Sequence, residues 1–381
     1  MKQTKSFDMT LDDELSEISV VSLEQAVAAP YCGLLLASAG ARVIKVERPE
    51  GDFARSYDSG IDGKSAIFAW LNRGKESIAL NLKNKKDKCI LKKIINRSDI
   101  FLSNLTPQAL KRLELDYTNL KSDNPKLIYC KITGYGESEE ASTRKAYDML
   151  VQAESGLCSV TGTEESPSKV GISITDLSTG LTAFSAILRA LIQRAKTNRG
   201  VQISISMFDV MADWMNMPLL AHRFMGGAPK RNGLKHTFIA PYGAFTCGDD
   251  TQILLSIQNN REFSVFCNKV LENESLSKDI KFRDNPQRYQ NREELDGIIL
   301  RSFKKMTRKQ VQNKLNKIGI ANAQLNDVGQ LSDHEFLTNE EAHFAARSLP
   351  LAALPVKTKK GTPKKVPELN EDGDNIRAEL I

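Results

Sequence analysis

The feature that most constrains this 381-residue chain is the strict alternation of short apolar runs with helix-patterned segments between Ile18 and Gly136. Ile18–Leu23 reads as a buried strand, Pro30–Ser38 as an apolar helix stopped by Gly40, and Arg42–Val46 as the next strand, with Glu47, Arg48 and Pro49 leaving its end. The pattern then repeats. Ser77–Leu82, Ile100–Leu102 and Leu127–Thr133 read as strands, and Asp87–Ile95 and Thr106–Leu113 as the helices between them. Strands joined by helical crossovers pair in parallel with right-handed connections. The expected fold class is therefore α/β, an open, mostly parallel sheet with helices on both faces.

Ligands of such sheets bind beyond the carboxyl ends of the strands. Arg48, Asn104, Thr133 and Tyr135 fall at or just after those ends, and Lys75 lies just before a strand. The first crossover, SLEQAVAAPYCG, has neither GxGxxG nor GxxxxGK[ST], which argues against a dinucleotide dehydrogenase or a P-loop kinase. The formal net charge of +6, with acids and bases interleaved, is too mild for a dedicated nucleic-acid binder and suits an anionic small molecule. Six scattered cysteines without a CxxC pair indicate reduced thiols in a cytoplasmic protein. The four histidines lack ligand spacing, so no metal site is expected. The polar start reads as a frayed or lightly docked lead-in rather than a signal peptide, and no apolar run is long enough to span a membrane.

The stretch Tyr147–Gly180 carries the candidate chemistry. It reads as an amphipathic helix with Leu150, Ala153 and Leu157 on one face. A loop with Glu164 and Glu165 at its apex follows, then a short strand from Val170 to Ile174, then a long helix. Thr175 or Asp176 is placed as the N-cap of that helix, whose apolar face reads Leu181, Phe184, Ile187, Leu188 and Leu191. Val201–Met207 alternates as a half-buried strand, and Phe208–Met225 reads as one apolar helix. After a loop at Gly226–Gly233 the chain changes character. A hairpin is expected across Cys247–Asp250, with helices near Arg261–Leu271, Arg292–Met306 and Thr307–Ile318. The expected division is 1–225 for the first part of a large domain, 226–326 for a small α+β domain and 327–381 for a return to the large one. The tail from Leu349 to Gly361 reads as mobile or edge-bound.

In order and spacing, AAP, ARVIKVERPEGD, LNRGKESIALNLK, SNLTP, KLIYCKITGYGE, YDMLVQAESGL and GISITDLSTG resemble the family III CoA-transferases. So do the later IAPYGAF, NNREF, LNDVGQL and VPELNEDGDNIRAEL. That group includes formyl-CoA transferase and the carnitine CoA-transferases, and the resemblance runs from about Ser19 to Ala378. It implies a large Rossmann-like domain built from both ends of the chain, a small domain between, and a homodimer interlocked like chain links. It implies coenzyme A or acyl-CoA as substrate, with no permanently bound cofactor, metal, nucleic acid or membrane.

Carried over position by position, Val27 and Ala28 would line the adenosine side by backbone, and Arg48 would hold the adenine or a phosphate. Asn72, Lys75 and Arg112 would meet the phosphates and ribose, Asn104 and Leu105 would flank the pantetheine, and Tyr135 would help close the channel. The chain departs from the pattern at Val27, where some relatives carry glutamine, and at Leu105 and Thr106. The catalytic carboxylate falls on Glu165 after Thr161-Gly162, with Glu164, Asp148 and Asp176 as rivals. The implied reaction is transfer of CoA from succinyl-CoA or a similar acyl-CoA to a short carboxylic, and by the resemblance dicarboxylic, acid. It runs through a glutamyl anhydride and a glutamyl-CoA thioester. Arg144, Lys169, Arg231 and His236 are candidates for binding a second carboxylate. Two alternatives stay open. One is an acyl-CoA racemase of the same fold, although Tyr147 stands where racemases carry histidine; the other is an inactive CoA-binding protein.

Overall fold

A computed structural model describes residues 11, 13–356 and 365–381. The expectations for residues 1–10 and 357–361 lie outside the described residues. The chain forms two compact units. The first comprises Met1–Leu157, Lys169–Met217 and Thr338–Ile381; the second comprises Cys158–Ser168 and Pro218–Leu337.

The chain begins with the expected alternation: β1 (Ser19–Leu23), α1 (Ala28–Ser38), β2 (Arg42–Glu47), α2 (Ala66–Asn72) and β3 (Lys75–Ala79). It continues through α3 (Lys85–Asn96), β4 (Ile100–Ser103), α4 (Pro107–Arg112), α5 (Tyr117–Asp123) and β5 (Ile128–Thr133). Then come α6 (Glu139–Thr143), α7 (Asp148–Glu154), α8 (Leu157–Val160), α9 (Ile174–Thr197), β6 (Val201–Ser206), α10 (Met207–Trp214) and α11 (Asn216–Phe224). The six strands, all in the first unit, form one sheet in the order β3-β2-β1-β4-β5-β6, every neighbouring pair parallel.

Because side chains alternate along a strand, Val20, Val43, Ile100 and Ile128 face one core and Val21, Ile44, Phe101 and Tyr129 the other. The first core is closed by α1, α9 and α10, and the second by α3, α4 and α5. Burial on both faces is what makes these strands read as continuous apolar runs.

Several local expectations change. The strand expected at Val170–Ile174 is absent: the Val170 N–H is taken by Gln152, and those of Thr175 and Asp176 by Asp148, rather than by a neighbouring strand. In α7 the buried face is Val151 and Gln152, while Leu150 is exposed. The expected helix Phe208–Met225 breaks into α10 and α11 at Met215, with Pro218 in the first turn of α11, where a missing N–H costs nothing. The N-cap position of α9 is Ser173, so Asp176 lies inside its first turn. On α9, Gly180, Ala183, Ile187 and Ala190 are buried and Phe184, Leu188 and Leu191 pack partly buried against the same core, whereas Leu181, expected on that face, is exposed.

In the second unit, β7 (Tyr242–Thr246), β8 (Gln252–Ser256) and β9 (Ala321–Gln324) form an antiparallel sheet. Around it lie α12 (Asn260–Lys269), α13 (Asn285–Gln290), α14 (Arg292–Phe303), α15 (Arg308–Lys317) and α16 (Val328–Ser332). Its core includes Phe245, Phe263, Phe266, Phe282 and Phe303. The chain then returns to the first unit. There β10 (Asn339–Phe344) and β11 (Arg347–Ala352) pair as a hairpin, so Leu349–Ala352 of the tail expected to be mobile or edge-bound is strand. The last helix, α17 (Gly373–Ala378), closes the second core through Ile376.

Candidate active site

The strand order reverses between β1 and β4, and there the loops after the two strands diverge. A cavity of about 940 Å³ opens at this point, lined by the loops after β1, β4 and β5, by Ala141–Met149 and by the approach to α9. Every residue lining it belongs to the first unit.

The loop after β1 is built for this place. Asn104, just beyond β4, spans the reversal: its Oδ1 accepts the Gln25 N–H at 3.0 Å and its Nδ2 donates to the Gln25 carbonyl at 2.8 Å. Ala26 is turned into the left-handed region, at φ 64°, which a non-glycine residue adopts only under constraint. The Asp52 carboxylate supplies that constraint by accepting the Ala26 N–H at 3.3 Å. Asp52 is in turn held at 2.8 Å by Lys45, whose side chain is wholly buried, and Lys45 lies 3.4 Å from Glu24. Lys75 closes the group, donating to Glu24 at 2.6 Å, to the Pro30 carbonyl at 2.9 Å and to Asn72 Oδ1 at 3.0 Å.

The sequence-derived candidates therefore separate. Val27, Ala28, Asn104 and Leu105 line the cavity. Asn72 and Lys75 do not line it; they are parts of the buried ionic group, their polar atoms already partnered. Arg48 is exposed and donates to the Gly51 carbonyl at 2.8 Å, and Arg112 is exposed in the last turn of α4. The Tyr135 ring carries the guanidinium of Arg144, a lining residue, at 4.1 Å.

The lining contains two carboxylates, Asp148 and Asp176. Asp148 opens α7, and its Oδ1 accepts the N–H groups of Thr175 (2.8 Å) and Asp176 (3.2 Å) at the start of α9. Burial, with the nearby Asp148 charge adding to it, pushes the Asp176 carboxyl up to about 7. Glu164 and Glu165 are exposed and belong to the second unit. Their loop is closed by the pairing of Gly162 with Pro167 and by Arg231, which donates to the Thr163 and Glu164 carbonyls at 2.8 and 2.9 Å. Its own N–H and the Thr163 hydroxyl hold the Glu165 carboxyl below the usual range.

Of the candidate cations, Arg144 and Lys169 line the cavity, as does Lys145, which the sequence did not single out. Arg231 is engaged by its loop. His236 stacks on Tyr242 at 4.8 Å and accepts the N–H groups of Phe238 and Ile239 at Nδ1, a structural role. Among the described residues, no cluster of three or more His, Cys, Asp or Glu side chains is arranged to hold a metal ion, and no helix is long and apolar enough to cross a membrane.

Comparison with known proteins bears on the whole chain. The family model for CoA-transferase family III matches residues 15–373. Succinyl-CoA:glutarate CoA-transferase of Mus musculus is 36% identical over 292 residues, which span 76% of this chain and 66% of the mouse protein. Acetyl-CoA:oxalate CoA-transferase of Acetobacter aceti is 30% identical over 372 residues, 95% of this chain and 94% of that one. The crystal structure of a CAIB/BAIF family protein from Brucella suis matches with a TM-score of 0.83 at 31% identity, covering 96% of this chain and 99% of its own. Together with a cavity at the switch point of the sheet, these relationships establish that the chain belongs to CoA-transferase family III and is an acyl-CoA:carboxylate CoA-transferase.

Proposed function

We propose that this enzyme moves CoA from succinyl-CoA or a similar acyl-CoA to a short dicarboxylic acid, and that Asp176, rather than Glu165, is the carboxylate that carries the acyl group and then the coenzyme. The observation that carries this reading is the position of Asp176: it lines the cavity at the strand reversal, on the first turn of a long helix. The exposed Glu165 lies in the other unit.

In this reading an Asp176 oxygen attacks the thioester carbonyl, and the C–S bond breaks to release CoA thiolate and leave a mixed anhydride. The thiolate attacks the aspartyl carbonyl, expelling the donor acid as its carboxylate and forming an aspartyl-CoA thioester. The acceptor carboxylate attacks that thioester, and the released thiolate then takes the acceptor acyl group from the second anhydride, regenerating the Asp176 carboxylate. Anhydrides hydrolyse readily, so partial enclosure by the cavity protects them.

A dicarboxylic acceptor is supported by the relatives, whose names specify glutarate and oxalate. The cavity adds cationic side chains, Lys145 and Lys169, which suit a second carboxylate or the CoA phosphates. Val27, Ala28, Asn104 and Leu105 would line the CoA path, with Arg48 and Arg112 offering charge to its phosphates. A homodimer belongs to the same reading: Leu220, Phe224 and Met225 are exposed apolar side chains on α11 and just beyond it. Burial of such a surface by a second copy follows the ordinary logic of exposed apolar patches. The described thiols are all free, which suits the cytoplasm.

The test is a transfer assay with succinyl-CoA against a panel of mono- and dicarboxylic acids, followed by reduction of the enzyme thioester with tritiated borohydride, which expels CoA and leaves tritium on the resulting alcohol side chain, and by peptide mapping. Label on the peptide carrying Asp176 is the expected result. Label on the Glu165 peptide moves the nucleophile, and solvent deuterium at the α-carbon without transfer replaces the reading with a racemase.

A further inference from the structure

The side chain of Gln152 is fully buried on α7, one turn beyond Asp148. A buried amide has one acceptor end and one donor end, and which is which follows from its partners. Here the partners leave no choice. The Val170 backbone N–H can only donate, and it lies 2.9 Å from Gln152 Oε1. The Ile172 carbonyl can only accept, and it lies 3.5 Å from Nε2. The remaining Nε2 hydrogen therefore points at Asp148 Oδ2, 2.7 Å away.

The consequence falls on Asp148. Its Oδ2 faces an amide donor, and its Oδ1 faces two backbone donors, the N–H groups of Thr175 and Asp176. A proton on either oxygen would confront a donor and forfeit a bond. The Asp176 carboxyl has no comparable set of donors fixed on it by the described residues. When two nearby carboxyls compete for one proton, the one whose oxygens face only donors stays ionised and the other keeps the proton.

We propose that Gln152 is a positioning residue that, with the Thr175 and Asp176 N–H groups, keeps both Asp148 oxygens as acceptors, so that the proton of the Asp148–Asp176 pair sits on Asp176 and is released to solvent before that carboxylate attacks the thioester. This rests on Asp176 being the reacting carboxylate. The upward displacement of the Asp176 carboxyl by burial and by the Asp148 charge agrees with it. The other titratable group facing Asp176 is the Tyr57 hydroxyl, with Arg144, Lys145, Tyr147 and Lys169 lining the same cavity.

The Gln152→Glu substitution is a conditional replacement. Protonated, the new carboxyl still donates to Asp148 and accepts from Val170; ionised, it sets a third negative charge against the pair. The test follows the rate at which succinyl-CoA labels the Asp176 peptide in a single turnover, in wild type, Gln152→Glu and Gln152→Leu, from pH 5.5 to 8.5. Gln152→Glu is expected to run within about threefold of wild type at about pH 5.5 and at least about tenfold below it at about pH 8.5. Gln152→Leu, with no donor at any pH, is expected at least about tenfold below wild type throughout, with KM for the acyl-CoA within about twofold.

A ratio of Gln152→Glu to wild type that is flat with pH, or wild-type labelling by Gln152→Leu, overturns the proposal. An infrared titration needs no change at Gln152: a protonated-carboxyl band present in wild type at about pH 6 and missing in Asp176→Asn is expected, and its persistence in Asp176→Asn overturns the assignment. Absence of label from the Asp176 peptide in wild type instead overturns the choice of nucleophile, so the two failures are distinct.

Discussion

The Lys75 ammonium lies 2.6 Å from Glu24 Oε1, and neither side chain exposes any surface. Burial pushes the lysine down to about 8, against the pull of Glu24; the Glu24 carboxyl, which burial alone would raise, is held low by Lys75 and Lys45. Removing one member of such a group strands its partner. Lys75→Met is expected to cost on the order of 3–5 kcal/mol of stability. The protein that still folds should bind CoA with little change in Kd, since Lys75 faces Glu24, Pro30 and Asn72 rather than the cavity. Denaturant melts and calorimetric titration with CoA separate the two effects. A large rise in Kd at undiminished stability would return Lys75 to the phosphates.

Asp176→Asn is expected to reduce transfer by at least about a hundredfold, because an amide is a poor nucleophile and cannot form the anhydride. In wild type, attack requires the ionised carboxylate, so the rate should rise with pH through about 7 and level above it. The stability sign is opposite. Asp176 binds its proton more tightly folded than unfolded, so between about 4 and 7 the folded state loses stability as pH rises. Asp176→Asn should therefore melt higher than wild type at about pH 8, a gain in stability at the cost of activity. Initial rates and thermal melts across about pH 5–9 check both.

Replacing both loop acids, Glu164→Gln with Glu165→Gln, should leave transfer within about threefold of wild type. Both side chains are exposed, and the loop's geometry is kept by bonds from Arg231 to the Thr163 and Glu164 carbonyls, which the substitutions do not touch. A hundredfold loss in the double variant would restore the loop carboxylate as the reacting group.

The contrast between these two positions shows where the sequence was legible. Alternation of apolar runs specifies a parallel sheet because side-chain period and burial on both faces are local properties. The strand-end residues Asn104 and Thr133 followed from the same logic and line the cavity. Burial of charge does not follow from local pattern. Lys45, Lys75, Glu24 and Asp52 come from four separate segments and meet only in three dimensions. Likewise Val170–Ile174 alternates like a strand, but side chains of α7 claim N–H groups there and at the start of α9. Gln152, i+4 from Asp148 on one helix face, was the available signal, masked by the apolar spacing around it.

Glu47 predicts the acid limit of the fold. Burial would raise its carboxyl, but bonds from Arg55 Nε and Nη2, the Lys45 charge and the Ser77 hydroxyl bring it down to about 2. A carboxyl lowered on folding contributes stability above its unfolded value and loses it as pH falls toward the folded one. About 3 kcal/mol should therefore disappear between pH 4.5 and about 2 on account of this residue. In Glu47→Gln the pH slope of unfolding free energy over that window should be shallower by about one proton. Equal slopes would assign the acid sensitivity elsewhere.

Gly180 sets how closely α9 crosses α1. A Cβ there would lie 2.5 Å from the Ala28 carbonyl and 3.2 Å from the Cys32 nitrogen, so the two backbones meet with no room for a methyl. Overpacking of this kind costs about 1–3 kcal/mol, and the obstacle is backbone, which yields less readily than a side chain. The strain would fall on the first turn of α1, where Ala28 lines the cavity, and on the turn of α9 after Asp176. Gly180→Ala should therefore combine a lower melting temperature with a raised KM for the acyl-CoA and a reduced kcat. Leu181→Ala, one residue on and exposed, should change neither constant by more than about twofold. If Gly180→Ala melts lower but keeps wild-type kcat and KM, then the helix crossing supports the fold without setting the geometry of the site.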